Sequence, residues 1–220
     1  INGVRTLDGL RSFGCYWWKL WATPEKCAKR GLAPGDLGPG SYGAAFHDFP
    51  MPDGSSFNQF EALVAEIKRA PHLRTLVVTP WIPFYIPRTG GAQQKVVVAP
   101  CHGWIHVRII NGKLTLHMSQ RSADMVLGVP SNLAQYAALT LALAHVTGYE
   151  AYEYIHSLSD AHIFVNHRDA AEEMCGRKKY ALPTVTLESP PDDIFAFRRE
   201  HFVLSDYHPN EALSGLEAAI

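Results

Sequence analysis

The stretch PCHGWIHVRIINGKLTLHMSQRSADMVLGVPSN, residues 100–132, decides the fold of this chain. It contains two runs rich in β-branched and apolar residues, 103–110 and 113–119, and the dipeptide between them, Asn111-Gly112, is typical of a tight hairpin turn. The residues that follow, 133–147, are nearly all apolar but too few to span a bilayer, so we expect a buried central helix. The pattern predicts an α+β fold in which a mixed sheet packs against that helix.

The same stretch carries three kinds of side chain that can act together on a planar ring bearing a phosphate. Cys101 stands between a proline and a histidine, and a cysteine thiolate is a strong nucleophile. The pair Arg121-Ser122 offers a guanidinium group, whose forked N–H groups bind phosphate oxygens. Asn132 offers an amide that can read the donor and acceptor edge of a pyrimidine. These residues predict nucleophilic attack on such a ring.

Elements outside this stretch are indicated by local patterns. Residues 58–69 place apolar side chains at the spacing of an amphipathic helix, and residues 35–43, GDLGPGSYG, form a glycine- and proline-rich loop. The other predicted elements are a short strand and turn at 1–14, a helix in TPEKCAKRG, strands at 73–81 and just before Cys101, strand-like pieces at 152–165, a helix at 168–175, and strands at 183–187 and 202–204. No internal repeat is found, so we expect a single catalytic domain over residues 1–220.

The composition argues against several classes of protein. With 20 Lys and Arg against 21 Asp and Glu, the net charge is −1, so an anion must be bound by local arginines rather than by an overall basic surface. No apolar run is long enough to span a membrane, so no membrane partner is expected. The four cysteines are widely spaced, which argues against a disulfide framework and a metal site and favours a reducing, cytoplasmic location.

Five motifs occur in an order that resembles the thymidylate synthase family. They are GDLGPGSYG at 35–43, LRTLVVTPW at 73–81, PCH at 100–102, QRSADMVLGVPSN at 120–132 and SDAHIFVNH at 159–167. The resemblance covers most of the chain. It implies that family's fold and an obligate homodimer that packs through its sheet faces and shares arginines across the interface. It also implies one-carbon transfer from 5,10-methylenetetrahydrofolate to C5 of a pyrimidine nucleoside monophosphate.

The resemblance assigns the catalytic roles by position within these motifs. Cys101 corresponds to the nucleophile that adds to C6 of the ring and thereby makes C5 nucleophilic. His102 and Asp124 are placed with it as catalytic residues. A cysteine considered alone would be interpreted as a small buried apolar residue, but its place among five ordered motifs reverses that interpretation.

The substrate and cofactor residues also follow from the resemblance. Asn132 corresponds to the asparagine that reads the base. Its amide favours uracil because cytosine presents the opposite polarity at N3 and at the group on C4, although a flipped amide or a water relay would accept cytosine. Arg74 corresponds to an arginine supplied by the partner subunit. The substrate residues are Arg5, Arg74, Gln120, Arg121, Ser122, Asn132 and His162, and the cofactor residues are Trp21, Asp124, Gly128 and Ile220. No metal is expected.

Four departures from the family pattern bear on activity. Near residues 14–19 the family has a longer segment that includes a helix with a catalytic glutamate. Either that segment is deleted or the present sequence omits it, and we favour omission because losing a core helix would open the fold. Phe164 stands where the family has a tyrosine that binds the sugar, Thr75 replaces an arginine, and Ser131 replaces an aromatic residue beside the base-reading position.

The leading hypothesis is a folate-dependent C5 hydroxymethylase that acts on CMP, dCMP or dUMP through a covalent adduct between Cys101 and C6. In such an enzyme water attacks the methylene group on C5, whereas hydride from tetrahydrofolate would leave a methyl group. The alternative is a thymidylate synthase that methylates dUMP to dTMP. A third possibility is a non-catalytic paralogue that binds a nucleotide or RNA, which the intact PCH motif argues against.

Overall fold

The structure is a computed structural model that describes residues 1–89 and 93–218. The chain divides into two compact units, Ile1–Arg108 and a second unit that begins at Ile109, and each is described by itself. Ile220, assigned to the cofactor by the resemblance, lies outside the described residues. A single catalytic domain over 1–220 stays a prediction.

The described part of the first unit consists of short elements joined by long loops. Its helices are α1 (Leu7–Ser12), α2 (Pro24–Ala28), α3 (Tyr42–His47) and α4 (Gln59–Arg69), with 3-10 turns at Trp17–Leu20 and Pro83–Tyr85. Its strands are β1 (Phe49–Pro50), β2 (Ser56–Phe57), β3 (Val77–Val78) and β4 (Trp104–Ile110), whose last residues belong to the second unit. β1 pairs antiparallel with β2, and β3 pairs antiparallel with β4.

The amphipathic helix predicted at 58–69 is confirmed as α4. Asn58 caps it, because its side-chain oxygen accepts hydrogen bonds from the backbone N–H groups of Phe60 and Glu61. Phe60, Leu63 and Ile67 form its buried face. The helix predicted in TPEKCAKRG is also present, as α2.

Three predictions in the first unit are wrong or too long. Residues 1–14 contain α1 rather than a strand, since Thr6 caps the helix by accepting a hydrogen bond from Gly9 N. The strand predicted at 73–81 shrinks to β3. No strand forms in the described residues just before Cys101, because the backbone there bonds to loops: Lys95 N donates to Tyr85 O, and Val97 N donates to Leu37 O.

The glycine-rich loop at 35–43 is packed too closely for larger residues at two positions. A Cβ atom at Gly43 would collide with the carbonyl oxygen of Val4. Gly38 has a φ of +93°, and a Cβ there would collide with the carbonyl oxygen of Lys95. At these two positions only glycine allows the loop backbone to lie so close to the neighbouring backbone. α3 begins at Tyr42, within the same stretch.

The second unit is built around a strand–helix–strand motif. Its elements are β5 (Lys113–Asp124), α5 (Gly128–Thr147), β6 (Glu150–His162), α6 (Arg168–Gly176), β7 (Thr184–Leu187) and β8 (Phe202–Ser205), with 3-10 turns at Val165–His167, Ile194–Ala196 and Arg199–His201. β5 and β6 pair in parallel, with Asp124 opposite His162, and α5 connects them and packs on both. β7 and β8 pair antiparallel. The predicted helix at 168–175 and the two strands after it are confirmed.

The predicted hairpin turn between β4 and β5 is confirmed. Asn111 and Gly112 have φ values of 51° and 77°, the left-handed conformation that a type I′ turn requires at both positions. β5 extends beyond the predicted end to Asp124, so the residues from Gln120 onward belong to the strand. Alternate residues of β5 are buried, and this places Gln120 on the same buried face as Met118.

The apolar run at 133–147 forms α5, which starts earlier than predicted, at Gly128. Pro130 stands in its first turn, where the missing N–H of proline costs no hydrogen bond. Gly148, with a φ of 78°, ends the helix. Tyr136 and Leu143 lie on its buried face, which confirms the predicted α+β fold with a buried helix packed on strands. Among the described residues, no helix is both long and apolar enough to cross a membrane.

Candidate functional site

Cys101 lies in the first unit, in the loop that precedes β4. Its side chain is partly exposed, and Sγ contacts the carbonyl oxygen of Ala99 at 3.6 Å. Its backbone N–H donates a hydrogen bond to the hydroxyl of Tyr42 at 2.7 Å. The thiol is thus partly accessible to solvent, while the backbone of Cys101 is fixed by a hydrogen bond. This setting suits a cysteine nucleophile.

Tyr42 is a site residue that the sequence analysis did not identify. It lies near the end of the glycine-rich loop, where α3 begins, and its ring stacks on His102 with centroids 4.4 Å apart. Burial raises the pKa of Tyr42 well above its usual value, and the neighbouring Cys101 thiol raises it further. Tyr42 therefore remains a neutral phenol beside the thiol. The signal that could have identified it is the tyrosine within a motif that precedes PCH in the family order.

Trp21 belongs to an aromatic chain that reaches Tyr42. The rings of Trp18 and Trp21 are 5.7 Å apart, and those of Trp18 and Tyr42 are 6.1 Å apart. Trp18 also packs on a small buried cluster that includes Cys27 and Leu37. The structure therefore links Trp21 to the surroundings of the thiol through flat apolar surfaces.

The two predicted phosphate arginines of this unit differ in their surroundings. Arg5 forms an ion pair with Asp36 at 3.3 Å, with its side chain 42% exposed, and its carbonyl oxygen accepts a hydrogen bond from Leu37 N. Arg5 is thereby attached to the glycine-rich loop. Arg74 is exposed beside Thr75, and among the described residues it has no hydrogen bond or ion pair. The structure does not join Arg74 to the other predicted residues of its unit.

In the second unit, the predicted residues Gln120, Ser122 and Asn132 are brought together. The amide nitrogen of Gln120 donates to the carbonyl oxygen of Ser122 at 2.9 Å and to Oδ1 of Asn132 at 3.1 Å. Gln120 and Asn132 are both buried, with 3% and 7% of their surfaces exposed. Buried amides need partners, so each of these two side chains fixes the other.

His156 extends this group and was also missed by the sequence analysis. Its Nε2 lies 2.8 Å from Oε1 of Gln120. The residue lies on β6, on the same side as Tyr154, whose ring is 5.5 Å away. Burial lowers the pKa of His156, so its ring is neutral near neutral pH. A histidine in a strand is more often structural, and nothing in its local sequence pattern distinguishes it.

Asp124 is the last residue of β5, and Gly128 is the first residue of α5. One oxygen of Asp124, Oδ1, accepts hydrogen bonds from the backbone nitrogens of Val126 and Leu127, at 3.0 and 3.3 Å. A Cβ built on Gly128 would lie 3.5 Å from Cβ of Asp124 and 3.9 Å from Oδ1 of Asn132. The absence of a side chain at Gly128 therefore keeps the space between these two polar groups open.

Two further predicted residues of this unit, Arg121 and His162, lie on β5 and β6. Arg121 is exposed on β5, next to Gln120. His162, at the end of β6, has its Nδ1 3.2 Å from the carbonyl oxygen of Asp160, and its ring makes an edge contact with Phe164 at 4.9 Å. Ser131 is exposed in the first turn of α5.

Among the described residues, no group of three or more His, Cys, Asp or Glu could hold a metal ion.

The arrangement thus consists of two groups, each in its own unit. The thiol group contains Cys101, His102 and Tyr42, with a partly exposed thiol and a neutral phenol. The amide group contains Asn132 and Gln120, whose buried amides can read a polar ring edge. In a comparison with protein families, the family model described as Thymidylate synthase matches residues 1–219, so both groups lie within the matched sequence.

Proposed function

Since this chain belongs to the thymidylate synthase family, which transfers a one-carbon unit from a folate to C5 of a pyrimidine nucleotide, we propose that it is a C5 hydroxymethylase. Its substrates are a pyrimidine nucleoside monophosphate (CMP, dCMP or dUMP) and 5,10-methylenetetrahydrofolate. The observation that carries this proposal is the hydrogen bond from Cys101 N to Tyr42, because it keeps the nucleophile of the family in a defined position.

In the proposed reaction, Sγ of Cys101 forms a bond to C6 of the base, and the electron pair of the C5–C6 double bond moves to C5. The nucleophile must be the thiolate, and the neutral phenol of Tyr42 beside it can donate a hydrogen bond to that charge. When the product forms, the electron pair of the S–C6 bond returns to sulfur. The same hydrogen bond then stabilises the leaving thiolate.

Asp124 and Trp21, both assigned to the folate, each have a chemical character that suits one part of a flat, polar heterocycle. Among the described residues, Oδ2 of Asp124 has no hydrogen-bond partner while Oδ1 is fixed by two backbone N–H groups, so a carboxylate oxygen is held ready for an N–H donor. Trp21, with Trp18 behind it, offers an aromatic face for stacking. Bound methylenetetrahydrofolate would supply the methylene group that C5 acquires.

The fate of that methylene group distinguishes the two possible products. Water that adds to it gives a hydroxymethyl group, and hydride transfer gives a methyl group and leaves dihydrofolate. Ser131, one residue before Asn132, is exposed and hydrophilic where the family has an aromatic side chain. Phe164 also lacks the hydroxyl that the family uses on the sugar. Both changes alter the surroundings of the nucleotide, and the first favours water near C5.

We extend the proposal to a homodimer that shares Arg74 across its interface. Arg74 is exposed and, in the described part of the chain, has no ion pair that would hold it in place. Tyr152 and Ile155 on β6 are 59% and 38% exposed. Large side chains of this kind are more often buried, and their exposure on one strand indicates an interaction surface. A second copy that covers this face would bury them.

Methylation of dUMP is the second candidate. It is favoured by Asn132, because an amide at this position can donate to O4 of uracil and accept from N3–H. A nucleotide- or RNA-binding paralogue without activity is disfavoured by the partly exposed, positioned Cys101.

One assay separates these candidates. The protein is incubated with methylenetetrahydrofolate and each of dUMP, dCMP, UMP and CMP, while dihydrofolate absorbance and nucleotide mass are followed. We expect a hydroxymethylated nucleotide without dihydrofolate. A methylated nucleotide with equimolar dihydrofolate would overturn hydroxymethylation in favour of methylation. Binding without any product would support the binding paralogue.

A further inference from the structure

The Gln120 amide is held at both ends, by the carbonyl oxygen of Ser122 at its nitrogen and by His156 at its oxygen. A backbone carbonyl oxygen only accepts hydrogen bonds, and the carbonyl oxygen of Ser122 lies 2.9 Å from the amide nitrogen of Gln120. If the amide were turned over, two oxygens would face each other. The nitrogen of Gln120 must therefore point towards Ser122 and Asn132, and its oxygen must point towards His156.

This orientation in turn determines how Asn132 is held. The second N–H of Gln120 donates to Oδ1 of Asn132 at 3.1 Å. If the amide of Asn132 were reversed, its NH2 group would face the NH2 group of Gln120, and two buried donors would lose their acceptor. Within the described residues, Nδ2 of Asn132 has no hydrogen-bond partner, so this nitrogen is available to a ligand.

His156 completes the chain of donors. Because Oε1 of Gln120 can only accept, the proton between the two residues, 2.8 Å apart, must be on Nε2 of His156. The imidazole ring packs on Tyr154, and Tyr154 stacks on Tyr136 of α5 with centroids 6.0 Å apart. The donor is thus attached to β6 and supported from the helix that carries Asn132.

We infer that His156 is a positioning residue for base selection, which acts through Gln120 to hold the Asn132 amide in one orientation. The inference deepens the proposed function and rests on it for the identity of the ligand as a pyrimidine nucleotide. Uracil and cytosine present opposite donor and acceptor polarity at N3 and at the exocyclic group on C4. An amide that can turn accepts both bases. An amide held in one orientation accepts only one, here uracil.

The test measures dissociation constants for dUMP and dCMP by calorimetry, without turnover. In the wild type we expect dUMP to bind about 10- to 100-fold more tightly, the factor that one unsatisfied buried group provides. His156→Leu leaves Oε1 of Gln120 buried without a donor, so the amide is held from its nitrogen end only and the ratio should fall severalfold towards one. His156→Gln restores a donor, because the amide nitrogen of glutamine reaches about as far as Nε2, and should restore the ratio.

His117→Leu is the matched control. His117 lies on β5, and its Nε2 contacts the hydroxyl of Ser157 at 2.7 Å, so the variant removes a similar bond without touching Gln120. Its dUMP to dCMP ratio should equal that of the wild type. If His156→Leu does not fold, His156→Phe serves instead: it keeps an aromatic ring against Tyr154, removes the donor to Gln120 and should lower the ratio in the same way.

Three results would overturn the inference: equal binding of both bases by the wild type, an unchanged ratio in folded His156→Leu, or no rescue by His156→Gln. A failure of the proposed function can be distinguished from a failure of this inference. If the bases are discriminated and His156 variants behave as expected, but no hydroxymethylated product forms, base selection by His156 stands and only the reaction is wrong.

Discussion

The hydroxyl oxygen of Tyr42 accepts a hydrogen bond from the backbone N–H of Cys101 at 2.7 Å, so a residue of the glycine-rich loop fixes the backbone of the proposed nucleophile. The same tyrosine stacks on His102. Two motifs that are 59 positions apart in the sequence therefore meet at one phenol group. Through this contact the glycine-rich loop belongs to the candidate site.

Replacement of this phenol should slow the reaction more than it weakens substrate binding. Tyr42→Phe leaves Cys101 N–H without its acceptor and removes the donor beside the thiolate. We expect kcat to fall by about 10- to 100-fold, with nucleotide affinity changed less than threefold, on the order of one lost hydrogen bond to a charged group. Steady-state kinetics and calorimetry measure the two effects. Tyr85→Phe, a tyrosine of the same unit in edge contact with Phe84, is the control. An unchanged kcat would remove Tyr42 from the site.

Replacement of the thiol itself should abolish turnover while nucleotide binding remains. A serine hydroxyl is a far weaker nucleophile than a thiolate, so kcat of Cys101→Ser should fall by roughly three orders of magnitude or more. Cys175→Ser, which changes an exposed cysteine on α6, should behave as the wild type. Mass spectrometry of the denatured enzyme after incubation with both substrates should detect a nucleotide adduct in the wild type only. Near-normal turnover in Cys101→Ser would contradict the proposed adduct.

The glycine-rich loop should tolerate no side chain at Gly43. A Cβ there collides with the carbonyl oxygen of Val4, which belongs to the backbone and cannot move aside without a shift of the chain. We expect Gly43→Ala to lower the free energy of unfolding by about 1–3 kcal/mol, the usual cost of overpacking. Denaturant unfolding measures it. Gly176→Ala is the matched control, because nothing lies within 4 Å of its Cβ position. Equal stabilities of the two variants would argue against the packed loop.

The sequence was a good guide where structure depends on neighbours in the chain. The apolar spacing of α4 and the Asn111-Gly112 turn are local patterns, and both were predicted correctly. The strand expected before Cys101 fails because the backbone of Lys95 and Val97 bonds to distant loops. Hydrogen bonds to distant loops cannot be detected from the local hydrophobic periodicity of the sequence.

The candidate site shows the same difference between local sequence patterns and contacts to distant residues. Gln120 and Asn132, both assigned to the substrate by the resemblance, are hydrogen-bonded to each other, and their role at the substrate stays a prediction. Tyr42 and His156 act through hydrogen bonds that cross 59 and 36 positions. The motif around Tyr42 could have indicated that residue but not its contact, and no local pattern indicates His156. Long-range contacts of buried polar groups are what the structure adds.

Tyr154 gives a prediction about stability and pH. In the described residues its buried hydroxyl has no hydrogen-bond partner, and burial raises its pKa above the usual value. The unfolded chain loses this proton near pH 10, but the folded chain keeps it, so stability should fall as the pH rises above about 10. Tyr154→Phe should be more stable at pH 7 by about 1–3 kcal/mol, because an unsatisfied polar group is removed.

Thermal and denaturant unfolding between pH 7 and pH 11 tests both parts. The loss of stability above pH 10 should be smaller in Tyr154→Phe than in the wild type. Tyr152→Phe, which removes an exposed hydroxyl from the same strand, should change neither quantity. A variant Tyr154→Phe that is less stable than the wild type at pH 7 would show that the hydroxyl has a partner.

Ser131 gives the most direct prediction about the product. An aromatic side chain at this exposed position, one residue before Asn132, would shield the base from water. Water and hydride compete for the methylene group on C5, so Ser131→Phe should lower the yield of hydroxymethylated nucleotide and raise the yields of methylated nucleotide and dihydrofolate. The measurement is the ratio of the two nucleotide masses, with dihydrofolate absorbance as an independent count of hydride transfer. Ser131→Ala keeps the position small and should retain the wild-type ratio. If Ser131→Phe binds both substrates and leaves the ratio unchanged, water must reach C5 by a route that does not pass this residue.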